Sequence, residues 1–512
     1  MSTLTATNPR TGAPVGPEFP EASAADIAEA AARSAAAFER WRRVPRRERA
    51  RALRAAGNAL MDARAEILAA VDLEAALGEA RINSELARTI WQLHMFADLI
   101  DEGAYVEAII DRANPLVTPP RPELRRMLHP LGPVAIFTPS NFPLAYGVAG
   151  GDTASALAAG CPVLVKAHPS QPATSELCAR ILRAALATTP GGADVLQIVH
   201  GRAPETGRAV VEAAEIAAVG FTGSVAAGRA LFNIAAARPE PMPFYGELGS
   251  LNPIFIGPAA LAERSADIAA GLSQSVGLGA GQFCTKPGLV FVPASDAGRR
   301  FAQDLADKLD HLPNGVLLNQ NISNLLGSHV DVTSHLAGVT RLTRRDNPKA
   351  PGFHVAPKLF LTDEATFLAT SSVALREEHF GPVSVVVLCE PAHMPAIAGQ
   401  LGGHLTGTIH ASEDDREWAE SMADTLALHV GRMIWNGYPT GVAVVPAMQH
   451  GGPYPSSTSS LHSAVGTTAI RRFLRPVAYQ NYPDALLPDE LQSDNPLGIE
   501  RTIDGQRTRD GF

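Results

Sequence analysis

Between residues 133 and 222 short apolar runs alternate with alanine-rich amphipathic stretches, and no other feature restricts the possible folds as tightly. The pattern predicts strands at 133–138, 163–166, 195–200 and 217–221, with helices at 149–159 and 174–188 and a further helix before the last strand. Consecutive strands joined by helices pair in parallel, because each crossover returns the chain to the same edge. The expected product is an α/β fold with a Rossmann-like parallel sheet. A second alternating region from Asn252 to about Val430, with strands at 253–256, 289–292 and 383–388, predicts another α/β unit. A chain of 512 residues exceeds one ordinary core, so two or three domains are expected.

Helices come first. Residues 23–41 read as an amphipathic helix capped by Ser23, a second follows Pro45, and a third covers 72–100 with a break near Gly78. The charge run Arg46, Arg47, Glu48, Arg49, Arg51 and Arg54 reads as a solvated face. Six prolines between Asn114 and Pro133 exclude helix there, and Leu124, Met127 and Leu128 alternating with arginines suggest an extended segment in need of a pairing partner. Residues 484–512 are mostly polar, match no motif, and read as a surface tail.

Composition removes several classes of function. A net charge of −9 argues against nucleic acid as the main partner. The longest apolar runs fall far short of the ~20 residues that span a bilayer. The first residues have neither a basic start nor an apolar middle, so a cytoplasmic protein is expected. Cysteines at 161, 178, 284 and 389 form no Cys-x-x-Cys pair, which predicts neither disulfides nor a metal site. Lysine is rare, at 166, 286, 308, 349 and 358 among 43 basic residues, a weak pointer to Lys166.

Cys284 lies in Gly279-Ala280-Gly281-Gln282-Phe283-Cys284-Thr285-Lys286-Pro287-Gly288, where glycines permit close backbone approach and Pro287 ends any helix. A free cysteine is ordinarily a small buried hydrophobe. Upstream, however, Tyr245-Gly246-Glu247-Leu248-Gly249-Ser250 offers a carboxylate between glycines, and a thiol with a base suggests covalent catalysis. The usual Gly-x-Gly-x-x-Gly fingerprint is absent. Gly223-Ser224-Val225-Ala226-Ala227-Gly228 sits instead where a strand opens onto a helix, and free N–H groups there suit a pyrophosphate.

These motifs carry a resemblance. Ser140-Asn141-Phe142-Pro143, Val165-Lys166, Phe221-Thr222-Gly223-Ser224 with Gly228, Gly281-Gln282-Phe283-Cys284 and Glu378-His379-Phe380-Gly381-Pro382 occur in the order of the aldehyde dehydrogenase superfamily, which the chain resembles over nearly its whole length. The runs 149–160, 436–442 and 472–481 are similar to the branch of α-ketoglutaric semialdehyde dehydrogenases. The resemblance implies a cofactor domain at 1–113 and 134–246, a catalytic domain at 247–445, and an oligomerisation ribbon from 114–133 and 470–490 that joins subunits into a homodimer or homotetramer. It also implies Cys284 as nucleophile, Glu247 as the base for thioester hydrolysis, and Asn141 with the Cys284 N–H as the oxyanion site.

For the cofactor it implies Lys166 at the adenosine ribose, Gly223 and Ser224 at the pyrophosphate, Glu378 at the nicotinamide ribose and Phe380 against the nicotinamide. Pro169 stands where NAD-preferring relatives often place a glutamate, and His168 and Ser170 are adjacent, so NADP is favoured with NAD possible. The expected substrate is a small aldehyde, first α-ketoglutaric semialdehyde, the alternative being another aliphatic, aromatic or biosynthetic aldehyde. Phe142, Phe283 and Arg432 are candidates for its pocket, Arg432 as a cation for substrate or cofactor phosphate or as a structural ion pair. Lys286 either lowers the Cys284 pKa or points to solvent, and Tyr438 and Tyr454 replace other aromatics of the branch. A non-catalytic structural relative is the competing reading from another class.

Overall fold

The computed structural model describes residues 2–369 and 374–512. Its first sheet has five parallel strands in the order Leu196–Val199, Val163–Lys166, Val134–Phe137, Ala218–Thr222 and Phe244–Glu247. Both faces are covered, as a parallel sheet requires. Val134, Ile136, Val163 and Val165 pack under the helices that carry Trp41, Leu53 and Phe96. Their neighbours Ala135, Phe137, Leu164 and Phe221 pack on the other side with Ile27 and Val210. The chain leaves Val134–Phe137 toward one edge and returns at Ala218–Thr222 toward the other. That reversal opens a crevice at the carboxyl ends of these two central strands, the place where doubly wound sheets bind ligands.

The second sheet has seven strands, in the order Thr340–Arg341, Lys358–Asp363, Val383–Cys389, Leu289–Pro293, Ile254–Ile256, His404–His410 and Val430–Trp435. All pair in parallel except Thr340–Arg341. Phe255 and Phe291 stack at 4.7 Å on one face, while Ile254, Val290 and Val386 fill the other. The alternating regions predicted from the sequence therefore appear as two sheets, with boundaries shifted by one or two residues.

Ser23 caps the helix Ala24–Trp41 through a capping box with Asp26. The predicted break near Gly78 separates Arg64–Ala75 from Glu79–Glu102, with Ala76 and Gly78 at positive φ. Three expectations need correction. A hairpin, Thr3–Thr7 with Pro14–Pro20, precedes the helices. The Arg46 to Arg54 run is not uniformly solvated: Arg46 and Arg49 are buried and donate to the carbonyls of Ile100 and Val44, because a long guanidinium can reach helix ends that need donors. The polar C-terminal region is no tail, since Arg501–Ile503 and Gln506–Thr508 complete a third sheet. That sheet runs Leu474–Gln480, Leu124–Pro130, Ile109–Asp111, Arg501–Ile503 and Gln506–Thr508, so the pairing partner of 124–130 is found within the chain.

A buried ion pair locks the helix Gly151–Ala159 to the turn Thr467–Phe473: Arg472 Nη2 lies 2.6 Å from Asp152 Oδ1, with side chains 3% and 7% exposed. Removing one partner strands a charge in the interior. Asp152→Ala is expected to lower stability by roughly 3–5 kcal/mol, read as a fall in the urea midpoint. Breaking the exposed Arg416–Glu420 pair by Glu420→Ala should change it by less than about 0.5 kcal/mol; equal effects would contradict the ledger of buried against exposed charge.

Candidate active site

The loop that presents Cys284 is shaped by backbone. Gly279, Ala280 and Gly281 all take positive φ, and a Cβ on Gly281 would fall 2.2 Å from the Gly381 carbonyl. Glycine is thus required where this loop touches the Glu378–Pro382 segment. Asn252 fastens the loop from below, its Nδ2 donating to the carbonyls of Cys284 (2.8 Å) and Lys286 (3.0 Å). From the first sheet, Asn141 Nδ2 donates to the Gln282 carbonyl at 2.9 Å. The Cys284 N–H has no acceptor among the described residues.

Glu247 ends the edge strand of the five-stranded sheet and is 5% exposed. Residues 456–458 run beside that strand: Leu248 donates to the Ser456 carbonyl, Thr458 to that of Gly246, and Gly246 to Thr458 Oγ1. The same C-terminal loop brings in His450, 1% exposed, whose Nε2 lies 2.6 Å from Glu247 Oε1 and 3.6 Å from Cys284 Sγ. Thiol, imidazole and carboxylate therefore form one cluster, with reacting atoms all within 4.8 Å of one another. Glu247 Oε2 is buried and has no partner among the described residues, which leaves an acceptor lone pair for a reacting group.

The electrostatics divide the cluster. Burial pushes the Glu247 carboxyl up, but the charge and hydrogen bond of His450 hold it below the usual carboxylate range. Burial and the adjacent Glu247 push the Cys284 thiol well above its ordinary value. Lys286 neither faces solvent nor drives thiolate formation. It is buried, donates to the Val383 carbonyl at 2.7 Å, and has Glu378 as its electrostatic partner. Burial raises Glu378 and lowers Lys286, each opposed by the other's charge.

Gly223 and Ser224 lie at the carboxyl end of Ala218–Thr222, in the crevice between the central strands. Ser224 caps the helix Val225–Ala237 by accepting from the Ala227 N–H, and the first N–H groups of that helix remain free. Glu378 Oε2 would lie 2.5 Å from a Cβ on Gly249, so this glycine keeps the space before the carboxylate open. Phe380 is half-buried beside it. Lys166 ends its strand with its ammonium lowered to about 8 by burial, against the charge of Glu21. Burial and the neighbouring Lys166 charge lower His168 to about 3, favouring its neutral form, and its Nδ1 accepts from the Ser170 N–H. Ser170 Oγ accepts from Asn319. A helix N-terminus, a lysine and a carboxylate around a glycine-lined crevice fit a dinucleotide.

Phe142 and Phe283 meet edge to face at 5.3 Å beside Cys284. Arg432 does not present its tips to this pocket, since Nη1 and Nη2 donate to the carbonyls of Gly441 and Pro439. Tyr438 bonds to the carbonyls of Asp267 and Ile268, and Tyr454 is exposed. The sequence reading missed His450, Asn252 and two arginines over the Phe142–Phe283 pair, Arg81 and Arg88. A lone histidine 203 positions from its carboxylate leaves no local spacing to read.

Residues 2–477 match the model of the aldehyde dehydrogenase family, and the chain belongs to that family. It is 42% identical over 507 residues to alpha-ketoglutaric semialdehyde dehydrogenase 2 of Azospirillum brasilense, covering 98% of this chain and 96% of the relative. It is 37% identical over 498 residues to alpha-ketoglutaric semialdehyde dehydrogenase of Acinetobacter baylyi, covering 97% and 94%. Its fold is similar to that of aldehyde dehydrogenase C from Pseudomonas syringae, solved with NAD+ and octanal, with a TM-score of 0.80 at 22% identity over 95% of each chain. The protein is an aldehyde dehydrogenase that oxidises an aldehyde to the acid with a nicotinamide cofactor. No helix among the described residues is long and apolar enough to cross a membrane.

Cys161, Cys178 and Cys389 are buried whereas Cys284 is part-exposed, so alkylation of the folded protein should report Cys284. The iodoacetamide rate is expected to climb with pH through the alkaline range, because the raised thiol ionises late. Glu247→Gln removes the adjacent negative charge and should move the profile toward lower pH. A rate already flat between pH 7 and 9 in the unsubstituted protein would contradict this electrostatic reading.

Proposed function

We propose that the protein oxidises α-ketoglutaric semialdehyde to 2-oxoglutarate through a covalent adduct on Cys284, the substrate supported by its similarity to two alpha-ketoglutaric semialdehyde dehydrogenases and the covalent route by the contact of Cys284, His450 and Glu247. Cys284 gives up its thiol proton to solvent, attacks the aldehyde carbon as the thiolate, and forms a hemithioacetal. The side-chain amide of Asn141 and the backbone N–H of Cys284 stabilise the resulting oxyanion. A bound nicotinamide supplies the hydride acceptor that turns this adduct into a thioester. Glu247, with His450 holding Oε1, takes a proton from water through its free Oε2; hydroxide attacks the thioester carbonyl, the C–S bond breaks, and the proton on Glu247 passes to the departing Cys284 thiolate as the acid is released.

The five-stranded sheet with residues 1–113 and 134–246 holds the cofactor in this reading, and 247–445 supplies the nucleophile. Gly223 and Ser224 receive the pyrophosphate, Glu378 the nicotinamide ribose, Phe380 the ring and Lys166 the adenosine ribose. For the choice of dinucleotide, Pro169 removes one carboxylate that would repel a 2′-phosphate, while Glu21 stands within electrostatic reach of Lys166. NADP is admitted alongside NAD, with Lys166 rather than His168 as the cation. Leu474–Gln480 leaves an unpaired edge on the third sheet, which supports subunit joining through 114–133 and 470–490 into a homodimer or homotetramer. Four free cysteines are in keeping with the cytoplasm.

The test is a panel of acidic, aliphatic and aromatic aldehydes followed by reduced-cofactor absorbance with both NAD and NADP. α-Ketoglutaric semialdehyde is expected to give the highest kcat/KM, and Cys284→Ala to abolish turnover while cofactor affinity changes less than about threefold, since the thiol serves chemistry and not dinucleotide binding. Another aldehyde at the head of the panel would overturn the substrate, and turnover without Cys284 would overturn the covalent route.

A further inference from the structure

The helix Glu79–Glu102 places two arginines, seven residues apart and hence on one face, over the aromatic wall next to the nucleophile. The Arg81 guanidinium carbon lies 4.3 Å from the Phe142 ring centre and 4.5 Å from that of Phe283. Arg88 lies 5.8 Å from Phe142 and 5.5 Å from Tyr146. Their electrostatic situations differ. Arg81 has Glu85 at 3.3 Å, and Glu85 also accepts from the N–H groups of Leu144 and Ala145, so that carboxylate is fully used. Arg88 meets no carboxylate among the described residues; its one hydrogen bond is a long 3.5 Å contact to the Tyr146 hydroxyl, and its Nε is buried without a partner.

A part-buried guanidinium held against aromatic faces with no carboxylate beside it offers a fork of donors to an anion. The Phe142 ring under Arg88 meets Phe283, the residue before Cys284, at 5.3 Å, so a ligand at Arg88 lies along the aromatic wall next to the nucleophile. We propose that Arg88 binds the carboxylate of the substrate, fixing a short aldehyde acid with its carboxylate on the guanidinium and its aldehyde at Cys284. Arg81 and Arg88 share the Phe142 ring; Arg432, engaged with the carbonyls of its own loop, does not serve. This assignment rests on the acidic-substrate reading above and says which residue enforces it.

The test compares 2,5-dioxopentanoate with pentanal, and succinic semialdehyde with butanal, in the unsubstituted enzyme, Arg88→Gln and Arg88→Lys. Arg88→Gln should raise KM for both acidic aldehydes by about 10- to 100-fold, the range of a lost charge-assisted hydrogen bond, and leave kcat/KM for the neutral ones within about threefold. Arg88→Lys should recover part of the loss, because charge returns without the bidentate fork. Independently of turnover, glutarate should slow alkylation of Cys284 in the unsubstituted protein and lose that protection at least about tenfold in Arg88→Gln. An unsubstituted enzyme with no preference for acidic aldehydes would overturn the substrate reading itself. A preference that survives Arg88→Gln, or glutarate protection unchanged by it, would overturn the carboxylate site alone. Should Arg88→Gln fail to fold, full acid preference in Arg88→Lys together with absent glutarate protection in the unsubstituted protein overturns it equally.

Discussion

The contact on which this architecture turns is the 2.6 Å hydrogen bond between His450 and Glu247. A carboxylate buried at a strand end would ordinarily be driven toward its neutral form. The imidazole reverses that and keeps a base ready beside a thiol. It also ties the last strand of the first sheet to a loop near the C-terminus, reinforced by the backbone exchange of residues 246–248 with 456–458. The second sheet then delivers Cys284 to the same spot through a loop whose glycine lies against Gly381. Cofactor crevice, base and nucleophile thus come from different segments, and their meeting depends on how closely three pieces of backbone can approach.

The electrostatic division within the site suits a two-stage reaction. A thiol with a raised pKa is spared from premature ionisation and from alkylation, while a carboxylate with a lowered one is charged and free to accept a proton. Lys286 and Glu378 form a second balance of charge beside the cofactor crevice, and Glu378 adds to the upward push on the Cys284 thiol. Placing a lysine two residues after a cysteine does not make it the cysteine's activator. In the folded chain the Nζ turns to Val383 and the thiol to His450.

Much of the fold was legible in the sequence because parallel strands buried on both faces are written as apolar runs, and crossover helices separate them. Ser23, Gly78 and Pro287 punctuated as their backbone chemistry demands. The N-terminal hairpin and the C-terminal strands escaped, since edge strands such as Pro14–Pro20 and Gln506–Thr508 are proline-bearing or polar and carry little alternation. In the site, Cys284, Glu247 and Asn141 stand in motifs that the family resemblance singled out, and the fold brings Cys284 and Glu247 into one cluster. The contacts of His450 and Asn252 were not legible, because their partners lie 203 and 32 positions away in the sequence. His168 was singled out because it adjoins Pro169, a position that says nothing about the Ser170 N–H bound to its ring nitrogen.

The covalent route through Cys284, with Glu247 acting on water, is tested most directly by a single turnover of Glu247→Gln, in which the amide oxygen can still accept from His450. Stopped-flow absorbance should show a burst of reduced cofactor close to one equivalent per site. Intact mass spectrometry of the quenched protein should then find the acyl group retained on Cys284, with steady-state turnover reduced by about 100-fold or more, as expected for loss of a general base. Steady-state turnover near that of the unsubstituted enzyme, or loss of the burst together with turnover and no acyl group on Cys284, would contradict the mechanism.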